Sequence, residues 1–250
     1  MRYRSAFITG ATSGIGRALS LELGKRGTFV HAVGRRQELL ESLVQELPAG
    51  GLAHVVDVTD REGLKAAMAK ADASADAPGG LDLVIANAGI AENGIDATDP
   101  ADAALRILAV NSIAAAQTLE FGFEAMRARR RGQLVAVSSL AGIRGLPGAR
   151  AYCASKAALS RYVESMRFEL KGTGLSVTDV QPGFIKTPMT DRNGFAMPFL
   201  MEVEDAARRT VKALERSRPP RVVCYPRRLA WPFRAATAVL PAWAWERLLR

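Results

Sequence analysis

Tyr152 and Lys156 are the pair of residues whose types and spacing point most directly to chemistry. They stand four positions apart at the start of a segment with helical periodicity, so both side chains project from one face of a helix. A free phenol has a pKa of about 10, which is too high for easy proton exchange near neutral pH. A buried ammonium beside the phenol is expected to favour the phenolate and to lower that pKa. The pair predicts a tyrosine that exchanges a proton with a bound substrate.

Ser139 is the third residue of this group. It follows a short apolar run, Gln133 to Val137, that is typical of a buried strand. In a doubly wound sheet, the end of that strand and the start of the Tyr152 helix both face the ligand crevice. A Tyr-x3-Lys pair alone is common on ordinary helices, so it is the position relative to Ser139 that favours a catalytic site.

A glycine-rich turn follows the first apolar run and opens the first helical segment. It spans Thr9 to Gly16 with the sequence TGATSGIG. Glycines let the backbone turn tightly and approach a pyrophosphate, while the free N–H groups at a helix N-terminus attract the anion. The spacing is Gly-x3-Gly-x-Gly and differs from the usual dinucleotide fingerprint, so a purely geometric role stays an alternative. The position in the first strand-to-helix turn favours a dinucleotide site.

Arg35 and Arg36 follow the second apolar run, where an NAD enzyme would place an acid for the ribose diol. A guanidinium at that place suits a 2′-phosphate through planar, charge-assisted hydrogen bonds. Two solvated arginines at a helix start are the alternative, although cations oppose the helix dipole there by about 0.3–1 kcal/mol. The sequence therefore favours NADP(H) as cofactor, with NAD(H) as the second choice.

The elements that must position these residues alternate regularly along the chain. Short runs rich in Val, Ile and Leu predict strands that are covered on both faces, and helical segments long enough to cross back separate them. The fold class is therefore α/β, a Rossmann-type doubly wound parallel sheet of about seven strands with helices on both faces. The runs are Ala6 to Ile8, Thr28 to Val33, Leu52 to Val56, Leu81 to Ile85, Gln133 to Val137, Leu175 to Val180 and Arg221 to Cys224. The helical segments are Ile15 to Arg26, Arg36 to Leu47, Arg61 to Ala71, Asp102 to Arg127, Tyr152 to Leu170 and Glu204 to Arg216.

Taken together, these motifs resemble the short-chain dehydrogenases/reductases in their single-domain branch. The resemblance covers residues 5 to about 216. It rests on the Thr9–Gly16 turn, Asp57, Asn87-Ala88-Gly89, Asn111, Ser139, Tyr152-Cys-Ala-Ser-Lys156 and Pro182-Gly183.

The resemblance implies a catalytic tetrad of Asn111, Ser139, Tyr152 and Lys156. Tyr152 would exchange the proton at the substrate oxygen while hydride passes to or from the nicotinamide, and Ser139 would hold the developing alkoxide. Lys156 would bind the nicotinamide ribose and depress the tyrosine pKa. Asn111 would hold a water that links Lys156 to solvent.

The resemblance also implies a set of cofactor contacts. It places Asp57 and Val58 at the adenine, the backbone of Ile15 at the pyrophosphate, and Ile185 and Thr187 at the carboxamide. Ala86 departs from the family, since many relatives carry a second Asn there. The full set of predicted cofactor contacts is Gly10, Thr12, Ser13, Gly14, Ile15, Gly16, Arg35, Arg36, Asp57, Val58, Asn87, Ala88, Gly89, Tyr152, Lys156, Pro182, Gly183, Ile185 and Thr187.

Composition excludes several other classes of protein. With 250 residues and scattered Gly and Pro, the chain is long enough for one large α/β domain and is neither collagen-like nor disordered. Two cysteines make no disulfide framework and fit a reducing compartment. No apolar run suggests a secretory signal or a membrane span, so a cytoplasmic location is expected. No metal site is predicted.

The C-terminal residues 226–250 form a basic, Trp-rich tail beyond the predicted domain of residues 1–225. From Arg216 onward, eight arginines face one acid, Glu246, and all three tryptophans lie there. The rest of the chain is nearly neutral, which disfavours nucleic-acid binding. The tail is expected either to lie in a membrane interface or to pack on the domain or a subunit contact. Pro226, Pro232 and Pro241 predict that it is not one long helix.

The predicted function is an NADPH-dependent carbonyl reductase that also runs as an alcohol dehydrogenase. The Met- and Phe-rich segment from Phe184 to Met201, together with Leu140, Ile143 and Leu146, predicts a pocket for a small hydrophobic carbonyl or alcohol. The family resemblance suggests a homodimer or homotetramer. The alternatives are an NAD-dependent alcohol dehydrogenase, an epimerase or dehydratase, and a non-catalytic NADP-binding sensor or adaptor.

Overall fold

The computed structural model of the chain describes residues 3–76, 79–95 and 99–248. Its centre is a sheet of seven parallel strands in the order β3-β2-β1-β4-β5-β6-β7. This confirms the predicted fold class. Met1 and Arg2 of the predicted domain, and Leu249 and Arg250 of the predicted tail, lie outside the described residues.

Each predicted apolar run overlaps a strand of this sheet. The strands are β1 (Ser5–Thr9), β2 (Phe29–Gly34), β3 (Gly51–Val55), β4 (Leu83–Ala86), β5 (Gly132–Val137), β6 (Leu175–Pro182) and β7 (Val222–Tyr225). The helices are α1 (Gly14–Lys25), α2 (Gln37–Gln45), α3 (Arg61–Asp72), α4 (Pro100–Leu108), α5 (Ala115–Arg127), α6 (Arg150–Glu169), α7 (Val203–Leu214), α8 (Arg227–Val239) and α9 (Ala242–Leu248).

The strand order reverses at β1, which pairs with β2 on one side and with β4 on the other. Connections of the same hand then leave the sheet on opposite faces, and a crevice opens beyond the carboxyl ends of the strands. The turn after β1 and the segments after β2, β4, β5 and β6 meet at that edge. The sheet therefore brings the predicted site residues together.

Two apolar layers fill the space between the sheet and its helices. In β1, Ile8 faces the layer that includes α1, α2 and α7, and its neighbour Phe7 faces the layer that includes α3, α5 and α6. Both side chains are fully buried. Because both faces of each central strand are covered, its sequence is an unbroken apolar run rather than an alternating one.

The helix predicted from Asp102 to Arg127 is interrupted in the structure. Helices α4 and α5 are joined by a π-helical turn, Ala109–Ala114, which contains the buried Asn111. A π-helical turn holds an extra residue and shifts the faces of the helices on either side. The apolar spacing does not show this shift. In the structure, the Asn111 side chain of the turn is hydrogen-bonded to Ile90 and Ser155, which lie far from it in the sequence.

The segment after β7 folds as two helices, α8 and α9. Pro226 precedes α8 and Pro241 separates the two helices, as predicted. The prediction that Pro232 also breaks the segment was wrong, because Pro232 lies inside α8. Its missing N–H leaves only the carbonyl of Arg228 without its helical donor, and Arg228 is exposed, so water can bind that carbonyl. Among the helices of the described residues, none has the length and apolar character needed to cross a bilayer.

Candidate active site

The glycine turn forms an open cradle between β1 and α1. Gly10 and Gly14 have φ angles of 68° and 55°, which L side chains rarely adopt. A Cβ on Gly10 would lie 2.7 Å from the backbone of Ala88, and one on Gly16 would lie 2.3 Å from the carbonyl oxygen of Gly10. Ser13, the N-cap residue of α1, places no side-chain hydrogen bond on the helix. The first N–H groups of α1 are therefore left for an anion, and the cradle fits a pyrophosphate.

Arg36 lies across the glycine turn. Its Nη2 donates to Oγ1 of Thr12 at 2.6 Å and to Oγ of Ser13 at 3.0 Å. Arg35 points to the other side, where its Nη1 lies 3.5 Å from a carboxylate oxygen of Asp57, and its side chain is 70% exposed. Both arginines line the same cleft as the glycine turn, so either guanidinium group is available to a phosphate bound there.

Asp57 follows β3 and keeps its charge. Burial would raise the pKa of its carboxyl group, but hydrogen bonds from the N–H and hydroxyl of Thr59 and the charge of Arg35 outweigh burial and hold that pKa below its usual value. Next to it, Val58 is buried. The pair presents one charged and one apolar side chain to the same end of the cleft.

Asn87 ties the end of β4 to the glycine turn. Its Nδ2 donates to the carbonyl oxygens of Thr9 at 2.9 Å and of Gly10 at 3.2 Å. The hydroxyl of Thr9 accepts from the N–H groups of Asn87 and Ala88. These bonds fix the turn relative to β4, so the Asn87 amide acts on a ligand through the shape of the cradle.

Ser139 and Tyr152 meet at the centre of the cleft. Ser139 lies two residues beyond the end of β5; its Oγ accepts from the N–H of Ala141 at 3.1 Å and donates to the carbonyl of Pro182 at 3.4 Å. Tyr152 and Ser139 line the same cleft, and the Ser139 side chain lies close enough to the phenol to lower its pKa against the effect of burial. The first turn of α6 therefore places the phenol at the strand end, as the sequence predicted.

Lys156 lies one turn further along α6 and is buried. Its Nζ donates to the carbonyl oxygen of Val137 at 2.8 Å and lies 5.8 Å from the centre of the Tyr152 ring. Burial lowers the pKa of Lys156 to about 8, and the charge of Asp179 partly opposes that effect. The ammonium is mostly charged at neutral pH and close to its titration range.

The electrostatics of Tyr152 differ from the expectation. Burial raises the pKa of the phenol; the Ser139 side chain opposes this, and the nearby Cys153 and Glu92 add to it. The prediction that Lys156 lowers the pKa of Tyr152 was wrong for this structure, because desolvation of the phenolate dominates and the ammonium donates to the Val137 carbonyl. Tyr152 is therefore a neutral phenol at pH 7, the form that can give a proton.

All these groups line one cleft of about 580 Å³ beyond the carboxyl ends of the strands. Of the predicted site residues, Gly16 and Asn111 lie behind its wall and the others line it. Leu140, Ile143 and Leu146 were predicted to line the substrate pocket, but they are not among the residues that line this cleft. The side chain of Leu140 is buried beneath Gly183. The lining of the cleft includes the apolar side chains of Ile90, Ile95, Val110, Ile185 and Met189.

Comparison with known proteins agrees with this geometry. The family model described as short chain dehydrogenase matches residues 4–196. The chain belongs to the short-chain dehydrogenase/reductase family of oxidoreductases.

Individual relatives extend the match over nearly the whole chain. An uncharacterized oxidoreductase from Myxococcus xanthus is 45% identical over 244 residues, which cover 96% of this chain and 94% of the relative. A 3-oxoacyl-acyl-carrier-protein reductase from Thermotoga maritima is 35% identical over 188 residues, covering 74% of this chain and 75% of the relative. A solved short-chain dehydrogenase from Burkholderia cenocepacia, in complex with NADP, has 27% identity and a TM-score of 0.82, covering 98% of this chain and 96% of that one.

Asn111 supports helix α6 of this short-chain dehydrogenase from behind. Its Nδ2 donates to the carbonyl of Ile90 at 2.9 Å and to Oγ of Ser155 at 3.0 Å, and its Oδ1 accepts from the N–H of Ile90 at 2.9 Å. A Cβ on Gly89 would lie 3.3 Å from both the Oδ1 of Asn111 and the Nζ of Lys156. Both N–H donors of the Asn111 amide are used, so one lone pair of its Oδ1 is left to accept a hydrogen bond from a water.

Glu92 is a functional residue that sequence reasoning missed. Its Oε1 accepts from the N–H of Ala151 at 2.9 Å and from the N–H of Tyr152 at 3.0 Å. Helix α6 has Ala149 as its N-cap residue, which offers no side-chain acceptor, so Glu92 caps the helix from a distant loop. The only sequence signal for this role was an acidic residue shortly after Asn87-Ala88-Gly89. The N–H groups that Glu92 accepts from lie about 60 residues further along the chain.

The segment from Phe184 to Met201, called the lid below, borders the cleft through its first part, Ile185 to Thr190, whereas Phe195, Phe199 and Leu200 are exposed and lie outside the lining. Its ends are joined, since Met201 N–H donates to Phe184 carbonyl at 3.0 Å and Lys186 N–H to Met201 carbonyl at 2.9 Å. Asn93 holds its middle through a hydrogen bond of 2.6 Å from Nδ2 to the Oδ1 of Asn193. The loop that carries Glu92 and Asn93 thus connects the lid to the start of the catalytic helix.

Proposed function

We propose that this protein is an NADP(H)-dependent carbonyl reductase that acts on a hydrophobic ketone or aldehyde and runs in reverse as an alcohol dehydrogenase. The observation that carries the proposal is that Tyr152 and Ser139 line the same cleft as the glycine cradle. An anion cradle and a proton donor in one cleft are what hydride transfer to a carbonyl requires.

The cofactor assignment rests on the cradle and on the two arginines beside it. The N–H groups at the start of α1 would hold the pyrophosphate, and Arg35 and Arg36 would bind the 2′-phosphate that distinguishes NADP from NAD. Asp57 and Val58 would border the adenine. The Burkholderia cenocepacia relative, which binds NADP, supports this assignment, and NAD(H) remains the weaker alternative.

The residues of the chain supply the proton and the electrostatics of the reaction. A bound nicotinamide would supply or accept the hydride. Tyr152, kept neutral by burial, would donate its proton to the carbonyl oxygen as that oxygen gains charge. Ser139 would hold the same oxygen through its hydroxyl. Lys156 would hold the nicotinamide ribose through its buried ammonium group.

The walls of the cleft indicate the substrate class. Ile90, Ile95, Val110 and Met189 line it. Outside this lining, Phe184 packs edge-on against Phe195 in the lid, with ring centroids 6.0 Å apart. An apolar wall with a Met- and Phe-rich lid suits an aliphatic or aromatic carbonyl compound. The Thermotoga maritima relative, named as a 3-oxoacyl reductase, adds 3-oxoacyl thioesters to the compounds worth testing.

A screen of carbonyl compounds tests this function directly. The purified protein is mixed with NADPH or NADH and with aliphatic ketones, aromatic ketones or 3-oxoacyl thioesters, and cofactor oxidation is followed by absorbance. We expect substrate-dependent oxidation that is faster with NADPH than with NADH. If NADPH binds but no member of the panel is reduced, the reductase assignment is contradicted in favour of a nucleotide-binding sensor.

The cysteines support a cytoplasmic location. Cys153 and Cys224 are both free thiols, and burial raises the pKa of Cys153, which makes it less reactive. Free thiols persist in reducing compartments. Fractionation of the native host, with trapping of thiols by an alkylating reagent during lysis, tests the proposal: a cytosolic fraction with both thiols reduced is expected, and an oxidised protein outside the cytoplasm would contradict it.

A further inference from the structure

Helices α8 and α9 are fixed to the domain by their inner side. Trp245 is buried; its Nε1 donates to the carbonyl of Gly145 at 3.0 Å, and its ring packs edge-on against Phe233 at 5.5 Å between centroids. The guanidinium of Arg144 lies 5.9 Å from the centre of the Trp245 ring and donates to the carbonyl of Thr237 at 3.1 Å. The two helices are therefore docked on the loop that follows Ser139 and hold a fixed orientation.

The opposite side of the two helices presents large apolar side chains to solvent. Trp231, Val239 and Trp243 are 68%, 80% and 69% exposed. Ala235 and Ala238 are also exposed and share the helix face of Trp231, since they follow it by four and seven positions. These five residues are called the outer face below. Exposed apolar patches with a polar rim mark interaction sites on otherwise ordinary surfaces.

Arginines share the helix faces of the exposed tryptophans, since Arg227 and Arg228 precede Trp231 by four and three positions and Arg247 follows Trp243 by four. Arg227, Arg228 and Arg247 are exposed, and within the described parts of the chain no carboxylate lies at ion-pair distance from them. From Arg216 to the C-terminus, eight arginines less the one acid, Glu246, give +7 of the formal net charge of +9. The positive charge of the protein is thus concentrated in the segment that carries its exposed tryptophans.

We propose that the outer face docks on an anionic lipid bilayer. Tryptophan favours the headgroup region, small apolar side chains enter the acyl boundary, and arginines bind lipid phosphates. No helix of the described residues could span the bilayer, so the protein would rest on one leaflet. A second copy of the chain fits this surface less well, because a two-fold contact would bring the arginines of both copies together with only one glutamate each to offset them.

Vesicle co-sedimentation of the full-length protein tests the proposal. We expect binding to phosphatidylcholine vesicles that contain phosphatidylglycerol, weak binding to phosphatidylcholine alone, and loss of binding at high salt. The W231S/W243S variant should lose binding to the anionic vesicles. The R227Q/R228Q variant should bind about 25-fold more weakly, since each basic side chain at an anionic surface contributes about fivefold.

Matched controls come from α6, which carries the exposed Phe168 and Arg161. F168S and R161Q should bind the vesicles like the wild type, and thermal melting should show that all variants are folded. Absence of binding by the folded wild type, or equal loss in the α6 controls, would overturn the proposal. A concentration-dependent dimer that W231S/W243S abolishes, without vesicle binding, would assign the outer face to a second copy and would overturn it equally.

Discussion

At the scale of single residues, the sequence predicted which groups would react, and the structure shows how deeply each of them is buried. The spacing of Tyr152 and Lys156 predicted a shared helix face, and the two side chains lie together in the cleft. The direction of the tyrosine pKa was not predictable in the same way, because it depends on how deeply the phenol is buried and on which acceptor holds the ammonium. Residue types and their spacing predict which side chains lie together, whereas burial determines whether each side chain is charged.

The first prediction concerns Arg35, which stands at the mouth of the cleft beside Asp57. R35D should lower kcat/KM with NADPH by roughly 10- to 100-fold, because a charge-assisted hydrogen bond of about 1.5–3 kcal/mol to the 2′-phosphate is lost. With NADH, kcat/KM should be unchanged or higher, since a carboxylate can bind the ribose diol. Steady-state kinetics with both cofactors measure the ratio, with R161D on α6 as control. A ratio equal to that of the wild type would contradict the phosphate assignment.

At the scale of elements, the alternation of strands and helices was predictable, and the contacts between distant elements were not. Each apolar run overlaps a strand because both faces of the sheet are covered. The π-helical turn at Asn111, the cap that Glu92 places on α6 and the bond from Arg36 to Thr12 depend on residues brought together only by folding. The sequence around each of these residues does not indicate its distant partner.

The cap on α6 leads to a second prediction. E92A should lower the free energy of unfolding by about 1 kcal/mol, because the N–H groups of Ala151 and Tyr152 lose their acceptor. It should also lower kcat more than it raises KM, because the start of the catalytic helix is no longer held. E92Q should restore most of both, since an amide oxygen can accept the same bonds.

Urea unfolding and steady-state kinetics measure these two effects. E204A provides the control, because Glu204 is an exposed acid in the first turn of α7. Equal losses in E92A and E204A, or a failure of E92Q to restore kcat, would show that Glu92 does not position Tyr152.

A third prediction concerns the two histidines buried between β2 and β3. The Nδ1 of His31 lies 3.1 Å from the Nε2 of His54. Burial, with the charge of His54 adding to it, lowers the pKa of His31 to about 4, and burial also lowers the pKa of His54. In the unfolded chain a histidine has a pKa of about 6.5. As the pH falls, the unfolded chain is therefore protonated at a higher pH than the buried histidines of the folded chain. Stability should therefore fall as the pH drops from about 6.5 to about 4, by on the order of 3 kcal/mol for His31.

Thermal melting at several pH values measures this loss. H31L should lower the acid dependence of the melting temperature, because the titrating group with the larger shift is removed. An unchanged dependence in H31L would place the acid sensitivity elsewhere in the molecule.

At the scale of the whole molecule, the candidate site residues lie together at one edge of the sheet. The glycine turn, the arginines after β2, Ser139 and the first turn of α6 come from separate segments, and the parallel order of the strands brings them to one cleft. The sequence was sufficient to predict this edge, because handedness and alternation leave few arrangements. It was not sufficient for the C-terminal helices, whose docking depends on Trp245 reaching the carbonyl of Gly145.

The most direct test of the account is the rate of NADPH oxidation by Y152F with a carbonyl substrate found in the screen. The variant keeps the ring and loses the proton, so kcat should fall by about 10²- to 10⁴-fold. NADPH binding, measured by cofactor fluorescence, should change little, because the glycine cradle is untouched. A Y152F enzyme that reduces the substrate at the wild-type rate would contradict the assignment of Tyr152 as the proton donor.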